Sequence, residues 1–247
     1  QAIAALKETI GRIVHIRRQS KHEASDLLAM LMSARDEESG DGLSDQELID
    51  EVMTLVIAGH ETTASALTWT LHCLALNPAW IDRIREEVKS FPNGQWPMEV
   101  FRQLDVTGRV LQEGMRLFPP VWTFGRRTLD AIQLGEFLLP SDTSVTMPLV
   151  GMHRHTKSWS HPDSFNPDHF LPDAVDSRPK FAYFPFGGGQ RMCIGSHYAM
   201  MEMQCVLARL LNALDIELKG PRNPSLSALV TLQPGVPLPC VFKPRKS

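Results

Sequence analysis

"FPFGGGQRMCIG", Phe184 to Gly195, places three consecutive glycines, an arginine and a single cysteine directly before a helix-forming run. A glycine-rich turn feeding a helix commonly cradles phosphate, whereas a cysteine at a helix start commonly serves as a reactive or metal-bound thiolate. A phosphate loop of the P-loop type needs Lys and then Ser or Thr after its last glycine. Here Gly187, Gly188 and Gly189 are followed by Gln190, Arg191, Met192 and Cys193, so that reading fails. The dinucleotide fingerprint fails too, because no strand–helix–strand unit with an acidic ribose residue surrounds the glycines. The thiolate reading fits better. Unpaired backbone N–H groups and the positive end of the helix dipole favour an anionic sulfur.

Two further features say what such a thiolate would hold. Glycines let the backbone approach something flat and bulky, and Arg191 adds positive charge or holds an anionic group of a cofactor. A lone thiolate with no second protein ligand nearby suits a metal whose other ligands come from a macrocycle, as in haem. The competing reading of this stretch by itself is a buried cysteine capping a tight loop.

The bulk properties narrow the class. The chain has 247 residues, 43% of them apolar, enough to bury a sizeable core. Net charge is 25 − 28 = −3 without a long basic run, which argues against nucleic acid as a partner. Cys73, Cys193, Cys205 and Cys240 lack CxxC spacing, so they form neither a disulfide framework nor a zinc cluster and suit a reducing compartment. No apolar run reaches the roughly 18 residues of a membrane span. The opening residues alternate apolar and charged, unlike a secretory signal, and read as a helix already under way. The missing initiator Met suggests that residue 1 is not the natural start.

The first half is helical by pattern. Ala2 to Gln19 carries Ile3, Leu6, Ile10, Ile13 and Val14 at helical spacing. Glu23 to Glu37 predicts a shorter helix. Ser44 and Glu47 form a capping-box pattern opening a helix to about Leu76, roughly 50 Å long. Its middle, Thr54 to Leu67, is almost wholly apolar, which predicts burial on most sides. Helices follow over Ala79 to Ser90 and Val106 to Leu117. After Pro120 short β-type runs dominate, with a hairpin at Leu134-Gly135-Glu136. A helix from Gly195 to about Leu214 precedes a tail, Ser227 to Pro244, read as two strands joined by the Pro234-Gly235 turn. The expected fold class is mainly α with small β-sheets (α+β), one domain over residues 1–247.

Phe186, Gly189, Arg191, Cys193 and Gly195 match every fixed position of the cysteine-loop signature of the cytochrome P-450 family, the haem-thiolate monooxygenases, and the chain resembles that family in three further motifs. Ala58-Gly59-His60-Glu61-Thr62-Thr63 breaks an apolar helix with polar residues. Read from the residues, this is a small-residue packing site or a functional groove. The resemblance implies the distal helix crossing above the haem, with Ala58 at the cofactor and Glu61 and Thr62 as the acid–alcohol pair that relays protons. Glu113 and Arg116 share a helix face at i,i+3, a pair worth only a few tenths of a kcal/mol when exposed. The resemblance implies that they are buried structural residues joined by a third basic group from "HPDSFNPDHF" (His161 to Phe170). The usual arginine there is His169, whose fewer donors predict a weaker, pH-sensitive triad.

In "FPPVWTFGRR" (Phe118 to Arg127) the resemblance implies that Val121 and Thr123 face substrate and that Arg126 reaches a haem propionate, with Arg127 as the competing choice. Leu229, in the last hairpin, is expected at substrate by the same analogy. Phe186, Gly187, Arg191, Cys193 and Gly195 are the expected cofactor-binding residues, and Cys193 the iron ligand of haem b. His153, His155, His161 and His169 lack metal-ligand spacing and read as loop and packing residues.

The resemblance further implies insertion of one oxygen atom from O2 into a hydrophobic small molecule. Electrons would come from NAD(P)H through a separate ferredoxin or flavin reductase docking near Cys193. It covers the C-terminal half of the usual domain, and the cysteine loop is similar to those of soluble bacterial members, which points to the cytoplasm. Two alternatives stand beside it: a truncated, non-catalytic haem-binding remnant, and a family member that rearranges or dehydrates peroxides. The Glu61–Thr62 pair favours oxygen activation.

Overall fold

Local sequence signals set most of the element boundaries. The structure, a computed structural model, describes residues 2–20, 25–89, 91, 96, 98–101 and 103–245. It divides into two compact units, residues 1–61 and 62–247.

In the first unit, α1 (Ala2–Gln19) and α2 (Leu27–Ser33) accompany the opening turns of α3 (Asp45–Leu76). Ile10, Val14 and Leu48 form the core, flanked by Leu6, Leu31 and Val52. Lys7 pairs with Asp50 at 2.9 Å and Arg17 with Asp26 at 2.7 Å. The expected Glu23–Glu37 helix is shorter than its pattern. Asp26 caps it by accepting the Ala29 amide at 2.9 Å, and Ala34 is already extended; residues 23 and 24 lie outside the described residues. The capping box of α3 forms as expected. Glu47 accepts the Ser44 amide and hydroxyl at 2.8 and 2.7 Å, and the Ser44 hydroxyl accepts the Glu47 amide at 3.3 Å. The expected burial of the middle of α3 does not hold over Val56 to His60, where Val56 and Ile57 are 47% and 51% exposed. Apolar composition predicts that a face can be buried, but burial also needs a segment packed against it.

The second unit begins with the remainder of α3 and continues through α4 (Pro78–Val88), α5 (Met98–Phe101) and α6 (Asp105–Leu117). The strand β1 (Thr123–Arg127) follows, then the hairpin β2 (Ile132–Leu134) and β3 (Phe137–Leu139), then β4 (Ser144–Pro148). The short helices α7 (Leu149–Met152) and α8 (Pro172–Asp176) lead to α9 (Ser196–Ala213). The chain ends in β5 (Leu214–Leu218), β6 (Leu226–Ala228), β7 (Leu232–Pro234) and β8 (Cys240–Pro244). Ala66 and Leu74 of α3, Ile84 of α4, Leu111 and Met115 of α6 and Leu207 of α9 share one buried core. Gly114 lets α6 approach α3, since a Cβ there would run into the Thr70 side chain.

Among the described residues the sheets are two-stranded and antiparallel: β1 with β4, β2 with β3, β5 with β8, and β6 with β7. Gly135, at φ 59°, makes the expected two-residue turn between β2 and β3. The tail differs from its reading. Pro234-Gly235 does not join two mutually paired strands. The hairpin turn lies at Leu229–Thr231, while β8 crosses to β5. Gly235 instead donates its amide to Ser225 at 2.7 Å, in a backbone approach with no room for a Cβ beside Ser225.

Candidate functional site

The cysteine loop is closed by its own backbone. Phe184 accepts the Gly187 amide at 2.9 Å, and Phe186 accepts the Cys193 amide at 2.8 Å. Gly187 and Gly189 sit at φ 75° and 71°, the left-handed region where a side chain is strained. Two of the three glycines are therefore required by the turn itself. Phe186 packs against the helical core and anchors the loop. A short 3₁₀ turn over Gly189–Arg191 delivers Cys193, and α9 opens after Gly195, which accepts the Ala199 amide at 2.8 Å.

Cys193 is exposed, so the buried-capping alternative does not hold. Two other cysteines, Cys73 and Cys240, make poor thiolates. Cys73 is buried, and burial, then the Glu113 carboxylate, pushes its thiol up to about 12. Cys205 and Cys240 are half-buried, and burial raises the Cys240 thiol. An accessible sulfur on a glycine loop, between the exposed apolar side chains of Met192 and Ile194, fits a flat metal-bearing macrocycle.

Strand β1 adds a wall that sequence reasoning missed. The Phe124 ring lies 3.5 Å from where a Gly187 Cβ would stand and 6.2 Å, centroid to centroid, from Phe184. Strand alternation puts Arg126 on the same side of β1 as Phe124. Arg126 donates to the Gly125 carbonyl at 2.8 Å and, among the described residues, makes no ion pair; the same holds for exposed Arg191 as to ion pairs. Arg127, on the opposite side, pairs with Asp142 at 3.1 Å.

The segments that carry Val121, Thr123 and Leu229 are tied to one another by hydrogen bonds. The Trp122 indole donates to the Leu229 carbonyl at 2.9 Å, and the Leu232 amide donates to Pro120 at 2.8 Å. Ser65 and Trp69 of α3 both donate to the Leu232 carbonyl, at 2.8 and 2.9 Å, and Trp69 stacks on Phe118 at 4.1 Å. The last hairpin, the segment entering β1 and the second-unit part of α3 therefore converge. Glu61 closes the first unit and Thr62 opens the second; both are half-buried on the unbroken α3, and Ala58 is exposed.

Glu113 and Arg116 are fully buried, unlike a surface i,i+3 pair. Arg116 donates to Glu113 at 2.7 and 2.8 Å and to the carbonyls of His153, Pro162 and Ser164 at 3.0, 2.6 and 3.0 Å. Glu113 also accepts the Asn166 amide at 2.7 Å. His169 does reach the pair: Nδ1 is 3.2 Å from the Glu113 carboxylate, and Nε2 is 2.9 Å from the Ser160 carbonyl. Carboxylate and carbonyl both accept, and a neutral imidazole has one N–H to offer them, whereas an arginine has donors for both. Buried Tyr183 donates to the Gln112 carbonyl at 3.1 Å, and burial, then Glu113, pushes its phenol well above its ordinary value.

A helical bundle with small sheets, a buried Glu–Arg pair and an exposed cysteine on a glycine loop defines the haem-thiolate class of fold. The family model for cytochrome P450 matches residues 1–239, and the chain belongs to the cytochrome P450 family. It is 39% identical over 211 residues to cyclooctatin synthase of Streptomyces melanosporofaciens, covering 85% of this chain and 46% of that protein. It is 32% identical over 228 residues to pentalenene oxygenase of Streptomyces avermitilis, covering 92% and 51%. A retinoic acid-bound cyanobacterial CYP120A1 structure matches with TM-score 0.91 and 30% identity, over 98% of this chain and 56% of that one. The chain thus spans about half the length of the relatives it matches. Among the described residues no helix is long and apolar enough to cross a membrane.

Proposed function

We propose that this chain provides the haem-holding part of a haem-thiolate monooxygenase, with haem b as the prosthetic group and Cys193 as its sulfur ligand. The observation that carries the reading is the exposed Cys193 on a loop built around two left-handed glycines and faced by Phe124. When bound, the haem supplies oxygen activation at an iron made electron-rich by the thiolate. The chain's own residues hold and orient. The Phe186–Cys193 backbone bond sets the height of the sulfur, and Phe124 and Phe186 exclude water around the loop. Arg126 and Arg191 offer cationic donors to the propionate carboxylates. Arg127 is the weaker candidate because Asp142 already engages it.

Glu61 and Thr62 handle the protons that oxygen reduction consumes. Val121, Thr123 and Leu229 contact a hydrophobic substrate. One oxygen atom from O2 enters that substrate and the other leaves as water. The electrons come from NAD(P)H through a separate ferredoxin or flavin reductase. The relative named as an oxygenase supports this reaction class over a non-catalytic haem carrier. The test is the reduced–CO difference spectrum of the full chain after haem reconstitution. A thiolate-type Soret band that disappears in Cys193→Ala is expected. Absence of haem uptake, or a band that survives in Cys193→Ala, overturns the assignment.

A further inference from the structure

His153 reads from the sequence as a loop and packing residue, and the functional reading above gives it no part. The structure places it, fully buried, between the two halves of the machinery. Its carbonyl accepts Arg116 Nη1 at 3.0 Å, and its Nε2 accepts the Phe184 amide at 3.1 Å. Its ring lies 5.2 Å from Tyr183 and meets Phe184 edge-on at 5.7 Å. A ring nitrogen that accepts an N–H carries no proton, so the hydrogen of a neutral imidazole must sit on Nδ1. Arg116 of α6 and Arg154, its sequence neighbour, are the charged groups acting on the ring. Both oppose a second proton, as burial does first.

From Phe184 the register passes along the loop without a gap. The Phe184 carbonyl accepts Gly187, and Phe186 accepts Cys193.

We propose that His153 is a positioning residue for the cysteine loop: its neutral imidazole accepts the Phe184 amide and ties the register that presents Cys193 to the Glu113–Arg116 pair. The consequence for haem rests on Cys193 being the ligand, whereas the tie itself does not.

The test therefore has two arms. In the haem-free full chain, ¹⁵N NMR should show a protonated Nδ1 on His153 and a nitrogen–nitrogen coupling across the Phe184 N–H···Nε2 bond. Amide exchange at Phe184 and Gly187 should rise at least tenfold in His153→Phe, which keeps an aromatic ring but no acceptor. It should return towards wild type in His153→Gln, whose side-chain oxygen can accept. Absence of the coupling in the unmodified chain, or equal exchange in His153→Phe, overturns the proposal whether or not haem binds. In the reconstituted chain, His153→Phe should lower the thiolate-type fraction of the reduced–CO spectrum, with rescue by His153→Gln. An unchanged fraction despite faster exchange refutes positioning. A wild-type spectrum without a thiolate band instead removes the reading of Cys193, and the exchange arm still decides the tie.

Discussion

Replacing Arg116 with lysine keeps the buried charge and removes only the fork. All the N–H groups of the guanidinium are used. Nε and Nη2 bind Glu113, Nη1 binds the His153 and Pro162 carbonyls, and Nη2 also binds Ser164. Lysine has three donors on one nitrogen, so at least two of these acceptors lose their partner in a site without solvent. Hydrogen bonds to a charged donor contribute about 1.5–3 kcal/mol each, so Arg116→Lys should cost about 3–6 kcal/mol. That is a large share of the roughly 5–15 kcal/mol by which domains are typically stable. Urea unfolding followed by tryptophan fluorescence measures it cleanly, because Trp69, Trp80, Trp96, Trp122 and Trp159 all lie in the second unit. The midpoint should fall at unchanged slope. A loss under about 1 kcal/mol would show that the buried site tolerates a point charge and would refute the argument from fork geometry.

Other outcomes follow from single contacts. Burial, then Arg116, holds the His153 imidazole at about 4, below the ordinary 6.5, so as pH falls the unfolded chain takes this proton first. Its contribution is whole above pH 6.5 and declines towards pH 4, at up to about 1.4 kcal/mol per pH unit. The stability difference between wild type and His153→Phe should change across that window in urea titrations, and a constant difference would reject the assignment. Gly114→Ala drives a Cβ into Thr70 at the α3–α6 approach and should cost about 1–3 kcal/mol, relieved by Thr70→Ala. Equal unfolding midpoints with and without the second change would sink that account. Thr62→Ala should retain the reduced–CO band while more NAD(P)H is consumed per product, and unchanged coupling would remove Thr62 from proton handling.

What was legible in the sequence was local. Ser44 and Glu47 announce the start of α3 because a capping box needs only four consecutive residues. Leu134-Gly135-Glu136 announces its hairpin because one residue must adopt positive φ. The cysteine loop was legible as a motif, yet the reason for two of its glycines is the left-handed backbone as well as room for a flat ligand. The strand pairing of the tail was misread because Pro-Gly marks a turn without naming partners, and β8 finds β5 far upstream. The burial of Glu113 and Arg116 was implied only by the resemblance, because i,i+3 spacing by itself carries no information about burial.

The order and chemistry of the motifs were therefore determined by the sequence alone: a lone cysteine after a glycine turn, a Glu–Arg helix before it, and a polar pair within a long apolar helix. Only the tertiary structure decided which side chains bear on one another. Phe124 against Gly187, Leu229 tied to Trp122 and His153 between Arg116 and Phe184 are contacts between residues distant in the chain. No local propensity encodes such contacts. They arise because burying the shared core forces those segments together, and buried polar groups such as the Arg116 guanidinium then find their partners there.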